Sequence, residues 1–274
     1  MHLRVRCPAK VNLFLSVGPK DARNYHPIRT IFQAIDLCDT LVIRSGAGKH
    51  VVECDDPSVP ANNTVTKALR LLNEVLPLPP LHVTIQKQIP AESGLGGGSS
   101  NAAGIIRAAQ AIVGATIPYG ELKGVAEAVG MDVPFFLVGG KARGEGYGEQ
   151  VTALEDAPTS WLVVARPTIG CSTPIMYCKL DENEREWHPF SEADVLFNDF
   201  ESVVPQECIQ LKTQLLELGA TDAVLSGSGS AVFGRFQNEE AAKKAASKID
   251  SNQDSRVWVC RTLSRGESLL IVSD

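Results

Sequence analysis

The sequence predicts an α+β protein of two lobes, and three observations predict it. An alternating segment, residues 82–87, runs through a glycine-dense loop directly into a helix of small apolar residues. The second half orders its elements as strand, loop, strand, helix, strand, which describes a split βαβ layer rather than a second doubly wound sheet. Between the halves lies a short acidic connector marked by proline, Glu155-Asp156-Ala157-Pro158. The expected lobes are therefore residues 1–155 and 156–274. A chain of 274 residues with 44% hydrophobic content can fill two packed lobes or one large domain.

In chain order, residues 3–7 and 11–17 read as two short strands joined by Pro8-Ala9-Lys10, with a polar turn over residues 21–27. Strand character resumes at 30–36 and 39–44. Val65, Ala68, Leu69, Leu72 and Leu76 fall at helical spacing behind Asn63 or Thr64 as N-cap, and the prolines at 77, 79 and 80 stop that helix. After the strand at 82–87 come helices at 102–113 and 119–129. An apolar run then encloses Asp132, whose carboxylate must be paired or functional there. Residues 139–149 read as a hairpin with a glycine-rich turn, because no helix follows them. The second half gives a strand at 161–165, a charged surface excursion at 181–194 and an amphipathic helix at 203–218 with a glycine stop. Strands at 223–225 and 231–236 flank the small-residue loop Ser226-Gly227-Ser228-Gly229-Ser230. A helix at 239–249 and strands at 257–262 and 269–272 complete the chain.

Composition narrows the function classes. A net charge of −6 without a basic block argues against a nucleic-acid partner. No apolar run reaches the ~18–20 residues that span a bilayer. The first residues read as a strand rather than a signal peptide, so a cytoplasmic protein with no membrane partner is expected. Seven scattered cysteines without a Cys-x-x-Cys pair read as reduced thiols, and the histidines show no zinc spacing.

The chemistry centres on Pro90-Ala91-Glu92-Ser93-Gly94-Leu95-Gly96-Gly97-Gly98-Ser99-Ser100-Asn101. Clustered glycines let backbone N–H groups approach a large anion, and a helix start behind them favours phosphate. A Walker A loop would need Gly-Lys-Ser/Thr at its end, and the dinucleotide fingerprint would need glycine where Ser99 stands. The reading is a nucleotide-phosphate cradle of another type, against the bland alternative of a flexible connector.

Three separated motifs resemble those of the GHMP small-molecule kinases: Pro8-Ala9-Lys10-Val11-Asn12, the glycine stretch from Pro90 to Ala103, and the loop at 226–230. The Tyr25-His26 pair and Asp132-Val133-Pro134-Phe135-Phe136 are similar to members that phosphorylate a cytidine-diphosphate-linked methylerythritol in non-mevalonate isoprenoid synthesis. The resemblance implies a two-lobed GHMP kinase fold, with a ribosomal-protein-S5-domain-2-like N-terminal lobe and a ferredoxin-like C-terminal lobe. It implies ATP as cosubstrate with Mg2+, a small-molecule acceptor, and a monomer or weak homodimer. By residue, it implies Asp132 as catalytic base, Lys10 as its partner and Asn12 orienting the substrate. Tyr25 and Tyr177 would sandwich the cytosine, His26 would read its edge, and Thr173 would line the same pocket. ATP would lie on Pro90, Gly94, Leu95, Gly96, Gly97, Gly98, Ser99, Ser100 and Asn101.

Several points stay open at this level. Asn62 or Asn63 could contact adenine, and Ser99 or Ser100 could ligate the metal. Glu92, an acid within the cradle, is expected to face solvent. Two alternatives remain: a homoserine- or mevalonate-type kinase of the same superfamily, and a non-catalytic nucleotide or metabolite sensor on the same scaffold. Tyr25-His26 argues against the first, and the presence of Lys10 and Asp132 against the second.

Overall fold

Alternating apolar residues carry the chain straight through Pro8-Ala9-Lys10, so the two strands expected at 3–7 and 11–17 are one strand, β1 (His2–Val17). Its antiparallel partner is likewise continuous, giving β2 (Ile28–Ser45) in place of strands at 30–36 and 39–44. The apparent breaks are β-bulges. Register shifts between Pro8 and Ala9, where Asp36 and Leu37 are extra on β2, and between Asn12 and Phe14, where Leu13 is extra on β1. Bulges re-aim side chains beside them, and Lys10 and Asn12 lie between these two.

The protein is described here from a computed structural model covering residues 2–46, 48–191, 195–250 and 255–273. The chain continues through β3 (Val51–Cys54), α1 (Thr64–Val75), β4 (Leu81–Gln86), α2 (Gly97–Val113), α3 (Tyr119–Val129), α4 (Phe135–Val138), β5 (Lys141–Glu145) and β6 (Gln150–Ala153). It then forms β7 (Trp161–Pro167), α5 (Thr173–Asp181), β8 (Phe197–Asn198), α6 (Gln206–Glu217), β9 (Asp222–Leu225), β10 (Val232–Phe236), α7 (Glu239–Asp250), β11 (Ser255–Arg261), α8 (Arg265–Ser268) and β12 (Ile271–Ser273).

Local chemistry explains where the helices begin. Asn63 caps α1 by accepting from the N–H groups of Val65 and Thr66 at 2.9 and 3.2 Å, while Thr66 Oγ1 accepts from the Asn63 N–H. α2 begins at Gly97 rather than at residue 102, so the glycines and serines form its first turn. α6 starts after Pro205 rather than at residue 203, because a proline disfavours helical backbone at the residue before it. The short β3 and α5 carry no expected element. α5 opens with Pro174 in its first turn and buries Met176 and Leu180. Of the expected excursion at 181–194, residues 192–194 lie outside the described residues.

Two sheets result. One is ordered β12-β1-β2-β4-β3, with β5 added along β2, β6 paired to β5, and β8 pairing parallel to β1. The helices α1, α2 and α3 cover one face over a core that includes Leu41, Leu69, Leu72, Ile105 and Phe135. The other sheet is antiparallel, ordered β11-β7-β10-β9, with α6 and α7 packed on it. That order with two crossover helices is the ferredoxin-like arrangement of a split βαβ unit.

β7 is buried on both faces. Val163 and Ala165 belong to the core with α6 and α7, whereas Leu162 and Val164 join Ala9, Val11 and Ile35 in a seam between the sheets. Apolar packing of this kind sets the relative position of the lobes and leaves a cleft along one side. Among the described residues, no helix is long and apolar enough to cross a membrane.

Candidate active site

Bulged β1 delivers Lys10 and Asn12, two residues apart and so on one face, to a cleft of about 810 Å3 lined from both lobes. Lys10 is 3% exposed. Its Nζ donates to Asn12 Oδ1 at 2.6 Å, Asn12 Nδ2 donates to Thr30 Oγ1 at 2.7 Å, and the Thr30 hydroxyl donates to Phe14 O at 2.7 Å. Asp132, in the turn between α3 and α4, places Oδ2 3.7 Å from Lys10 Nζ and keeps about a third of its side chain exposed. Burial pulls the Lys10 ammonium below its ordinary pKa, and the Asp132 charge draws it part of the way back. A carboxylate facing the cleft beside a buried cation is placed to accept a proton.

The glycine stretch forms the next wall. Gly94 takes φ +75°, and a Cβ there would stand 1.9 Å from Ser226 O. Gly96 caps α2 at φ +74°, and a Cβ there would meet the Phe136 ring at 2.9 Å. Both positions need glycine for conformation and for space. The α2 hydrogen bonds begin with Ser100 N donating to Gly96 O at 2.9 Å, so the N–H groups of Gly97, Gly98 and Ser99 have no intrahelical acceptor. They sit at the positive end of the α2 dipole.

Pro90, Gly94, Gly96, Gly97, Gly98, Ser99 and Asn101 all border the cleft. The Leu95 side chain lies in the seam core instead, and its carbonyl accepts from Lys10 N at 3.0 Å. Ser100 is fully buried, and its hydroxyl and Asn101 Oδ1 have no hydrogen-bond partner. Glu92 is exposed but, against the expectation that it turns away from the cradle, borders the cleft, with its carboxylate near Gly170 and Arg166. Asn62 is exposed, while Asn63 borders the cleft but commits Oδ1 to its cap and Nδ2 to Pro60 O. The loop at 226–230 closes over the cradle from the second lobe, with Ser226 Oγ donating to Gly94 O at 3.0 Å and Ala231 N to Ser93 O at 3.0 Å.

The far end of the cleft is aromatic. The Tyr177 ring, on α5, stacks on His26 at 5.2 Å between centroids and meets Phe200 edge-on. Burial and the nearby Asp132 charge push its hydroxyl pKa up. His26 Nδ1 lies 2.9 Å from Gly18 O and 3.2 Å from Arg185 Nη2, so a carbonyl acceptor and a guanidinium donor both face it. Its Nε2 approaches Asp181 Oδ1 at 3.1 Å without hydrogen-bond alignment and is buried and unpartnered. Tyr25 is 58% exposed and packs against Tyr147 rather than against Tyr177. Thr173 Oγ1 shares a 2.9 Å hydrogen bond with Ser228 Oγ.

The GHMP kinases N terminal domain matches residues 63–140, and the GHMP kinases C terminal domain matches residues 190–254. A 4-diphosphocytidyl-2-C-methyl-D-erythritol kinase of Geobacter sulfurreducens is 38% identical over 260 residues, covering 89% of this chain and 93% of that protein. The chain belongs to the 4-diphosphocytidyl-2-C-methyl-D-erythritol kinase family of the GHMP kinases. A Solibacter usitatus kinase of the same name is 34% identical over 279 residues, covering 93% of this GHMP kinase and 88% of its own length. A crystal structure of 4-(cytidine 5'-diphospho)-2C-methyl-D-erythritol kinase matches with TM-score 0.82 at 29% identity, over 94% of this chain and 98% of that one. A homoserine kinase from Cytophaga hutchinsonii, at 18% identity and TM-score 0.73 over 99% of this chain and 97% of its own, shares the fold.

Sequence reasoning missed several residues that line the cleft of this GHMP kinase. Lys87, read only as the end of a strand, borders the cradle, and its Nζ donates to the fully buried Asp39. Asp39 Oδ1 also accepts from the N–H groups of Gln88 and Ile89 at 2.7 and 2.8 Å, which pins the chain entering the cradle. A lysine three residues ahead of Pro90 was the available signal for Lys87. Nothing local announced Asp39 or Tyr147, whereas Ser228 lies in the loop at 226–230 that the sequence had already singled out.

Proposed function

We propose that this kinase moves the γ-phosphoryl group of ATP onto the 2-hydroxyl of 4-diphosphocytidyl-2-C-methyl-D-erythritol, with Asp132 as base and Lys10 as its partner. The observation that carries the reading is the Lys10–Asp132 pair standing between a phosphate cradle and an aromatic end in one cleft. As a GHMP kinase the chain uses ATP and a small-molecule acceptor.

Transfer of this kind depends on positioning and on neutralising charge. The N–H groups at the start of α2 hold the ATP phosphates. The acceptor hydroxyl lies between Asp132 and Lys10, its proton passes to Asp132, and its oxygen bonds to phosphorus as the bond from the γ-phosphorus to the bridging oxygen breaks. Lys10, paired with Asp132, stabilises the alkoxide character of the attacking oxygen. Asn12, anchored through Thr30, sets the direction of the Lys10 ammonium.

Mg2+ fits this arrangement as an ion carried mainly by the nucleotide. Among the described residues, no three His, Cys, Asp or Glu side chains cluster to hold a metal, whereas the Ser99 side chain borders the cradle. Ser99 is thus favoured over the buried Ser100 as its protein ligand. Bound there, the ion would neutralise charge on the β- and γ-phosphates.

At the other end, Tyr25 and Tyr177 supply aromatic faces for the base. His26 lies beside them, where it would hydrogen-bond the cytosine edge. The kinase is read as a cytoplasmic protein, a monomer or weak homodimer, without a nucleic-acid partner.

The test is ADP release with the cytidyl substrate, its uridine analogue, homoserine and mevalonate side by side. Turnover with the cytidyl substrate well above the other three is the expected result. Turnover with homoserine or mevalonate alone overturns the assignment.

A further inference from the structure

We propose that Asp21 and Tyr147 form a latch that positions Tyr25 at the base end of the cleft and so sets how tightly this end holds the nucleobase. The inference rests on the cytidyl-substrate reading above. Tyr25 is 58% exposed in a surface loop where apolar packing does little to fix it. The loop is organised around one carboxylate: Asp21 Oδ1 accepts from the N–H groups of Arg23 and Tyr25 at 2.8 and 3.2 Å. Asp21 N donates back to Tyr25 O at 2.9 Å, and Asn24 N donates to Asp21 O at 3.0 Å. Asp21 Oδ2 then accepts from the Tyr147 hydroxyl, and the Tyr147 ring meets the Tyr25 ring at 5.5 Å between centroids and 54° between planes.

Tyr147 belongs to the turn between β5 and β6, far from this loop in sequence. The same turn accepts Ile28 N on Gly146 O at 2.7 Å and passes close to the acceptor pair, since a Cβ on Gly148 would stand 3.7 Å from Asp132 Oδ1. One hairpin turn therefore touches the aromatic platform and borders the catalytic carboxylate. A phenol donating to a carboxylate is a charge-assisted bond. It holds the Asp21 carboxyl below the usual range and pushes the Tyr147 hydroxyl up, so the two keep complementary forms at neutral pH. A platform ordered before the base arrives spares the ordering cost on binding.

Tyr147→Phe keeps the ring and removes the latch, and Asp21→Asn weakens the acceptor while retaining its shape. The expected result is a KM for the cytidyl substrate raised roughly 5-fold in Tyr147→Phe, with the KM for ATP and the melting temperature at wild-type values. The Tyr147→Phe, Asp21→Asn double variant should be no worse than Asp21→Asn alone, because Asp21→Asn already removes the Oδ2 acceptor that the Tyr147 hydroxyl uses. A wild-type KM for the cytidyl substrate in Tyr147→Phe overturns the latch. So does a joint rise in both KM values with a lowered melting temperature, which marks a purely structural contact. If the wild-type protein fails to phosphorylate the cytidyl substrate, the functional reading falls and takes the latch with it. If the substrate turns over normally and only the variants behave as wild type, the latch alone is wrong.

Discussion

Gly94 and Tyr25 stand at opposite ends of one cleft and are held there by different means. Gly94 is fixed mainly by backbone: its φ is +75° and the Ser226 carbonyl leaves no room for a Cβ, while the Ser226 hydroxyl donates to its carbonyl. Tyr25 is fixed by side chains, through the Asp21 carboxylate and the ring and hydroxyl of Tyr147. Phosphate is common to every ATP-dependent reaction, so a rigid backbone cradle serves it. A base must be told from other bases, and exchangeable side chains do that. Substitutions in the cradle should therefore remove activity outright, whereas those at the aromatic end should change affinity for one substrate.

The largest effect is expected from Gly94→Ala. The added methyl must displace backbone at Ser226 or distort the cradle, costing about 1–3 kcal/mol of stability and most of the ATP-dependent turnover. A calorimetric melt and an ADP-release assay check both. Normal turnover in Gly94→Ala would remove the contrast between the two ends.

At the aromatic end, Tyr25→Ala should raise the KM for the cytidyl substrate by a factor of roughly 5–150, the equivalent of about 1–3 kcal/mol for a stacked base. The KM for ATP should not follow it. Steady-state kinetics with each substrate varied in turn measures the difference, and equal rises in both constants would erase the division of labour.

Between the ends, Lys10 sets a pH dependence. Burial lowers its pKa, so as pH rises the ammonium loses its charge before an ordinary lysine would. The alkaline limb of kcat/KM should fall below the ordinary lysine value of 10.5. The sign for stability is opposite: the penalty for a buried charge is full below the folded-state pKa and is relieved as pH rises toward the unfolded one. Activity should thus fall over a range in which this residue makes the fold no less stable, which paired activity and unfolding titrations can separate.

The smallest effect is expected at Asn63. Its side chain is committed to capping α1, so Asn63→Ala should cost ~1 kcal/mol of stability and leave both KM values alone. A changed KM for ATP would give Asn63 a direct part in nucleotide binding.

The same contrast explains what the sequence could tell. The cradle was legible because glycine density, the strand before it and the helix after it are local signals. The split βαβ order of the second lobe was legible from the order of its strands, helices and glycine-marked stops, and the resemblance supplied its ferredoxin-like reading. The bulges in β1 and β2 looked like strand ends because a bulge interrupts alternation as a turn does. The aromatic end was read residue by residue from a resemblance, and its supports escaped. Asp21 meets Tyr147 across 126 positions of sequence and Asp39 meets Lys87 across 48, pairings that only the folded chain creates. α5 escaped for a simpler reason, since its nine residues bury only Met176 and Leu180 and show little periodicity.

The claim that joins the two ends is that Asp132 takes the acceptor proton midway between them. Steady-state kinetics of Asp132→Asn with ATP and the cytidyl substrate tests it most directly. The expected outcome is a kcat lower by about 10²–10⁴, with both KM values and the melting temperature close to wild type. An Asp132→Asn enzyme that turns over at the wild-type rate would contradict the account.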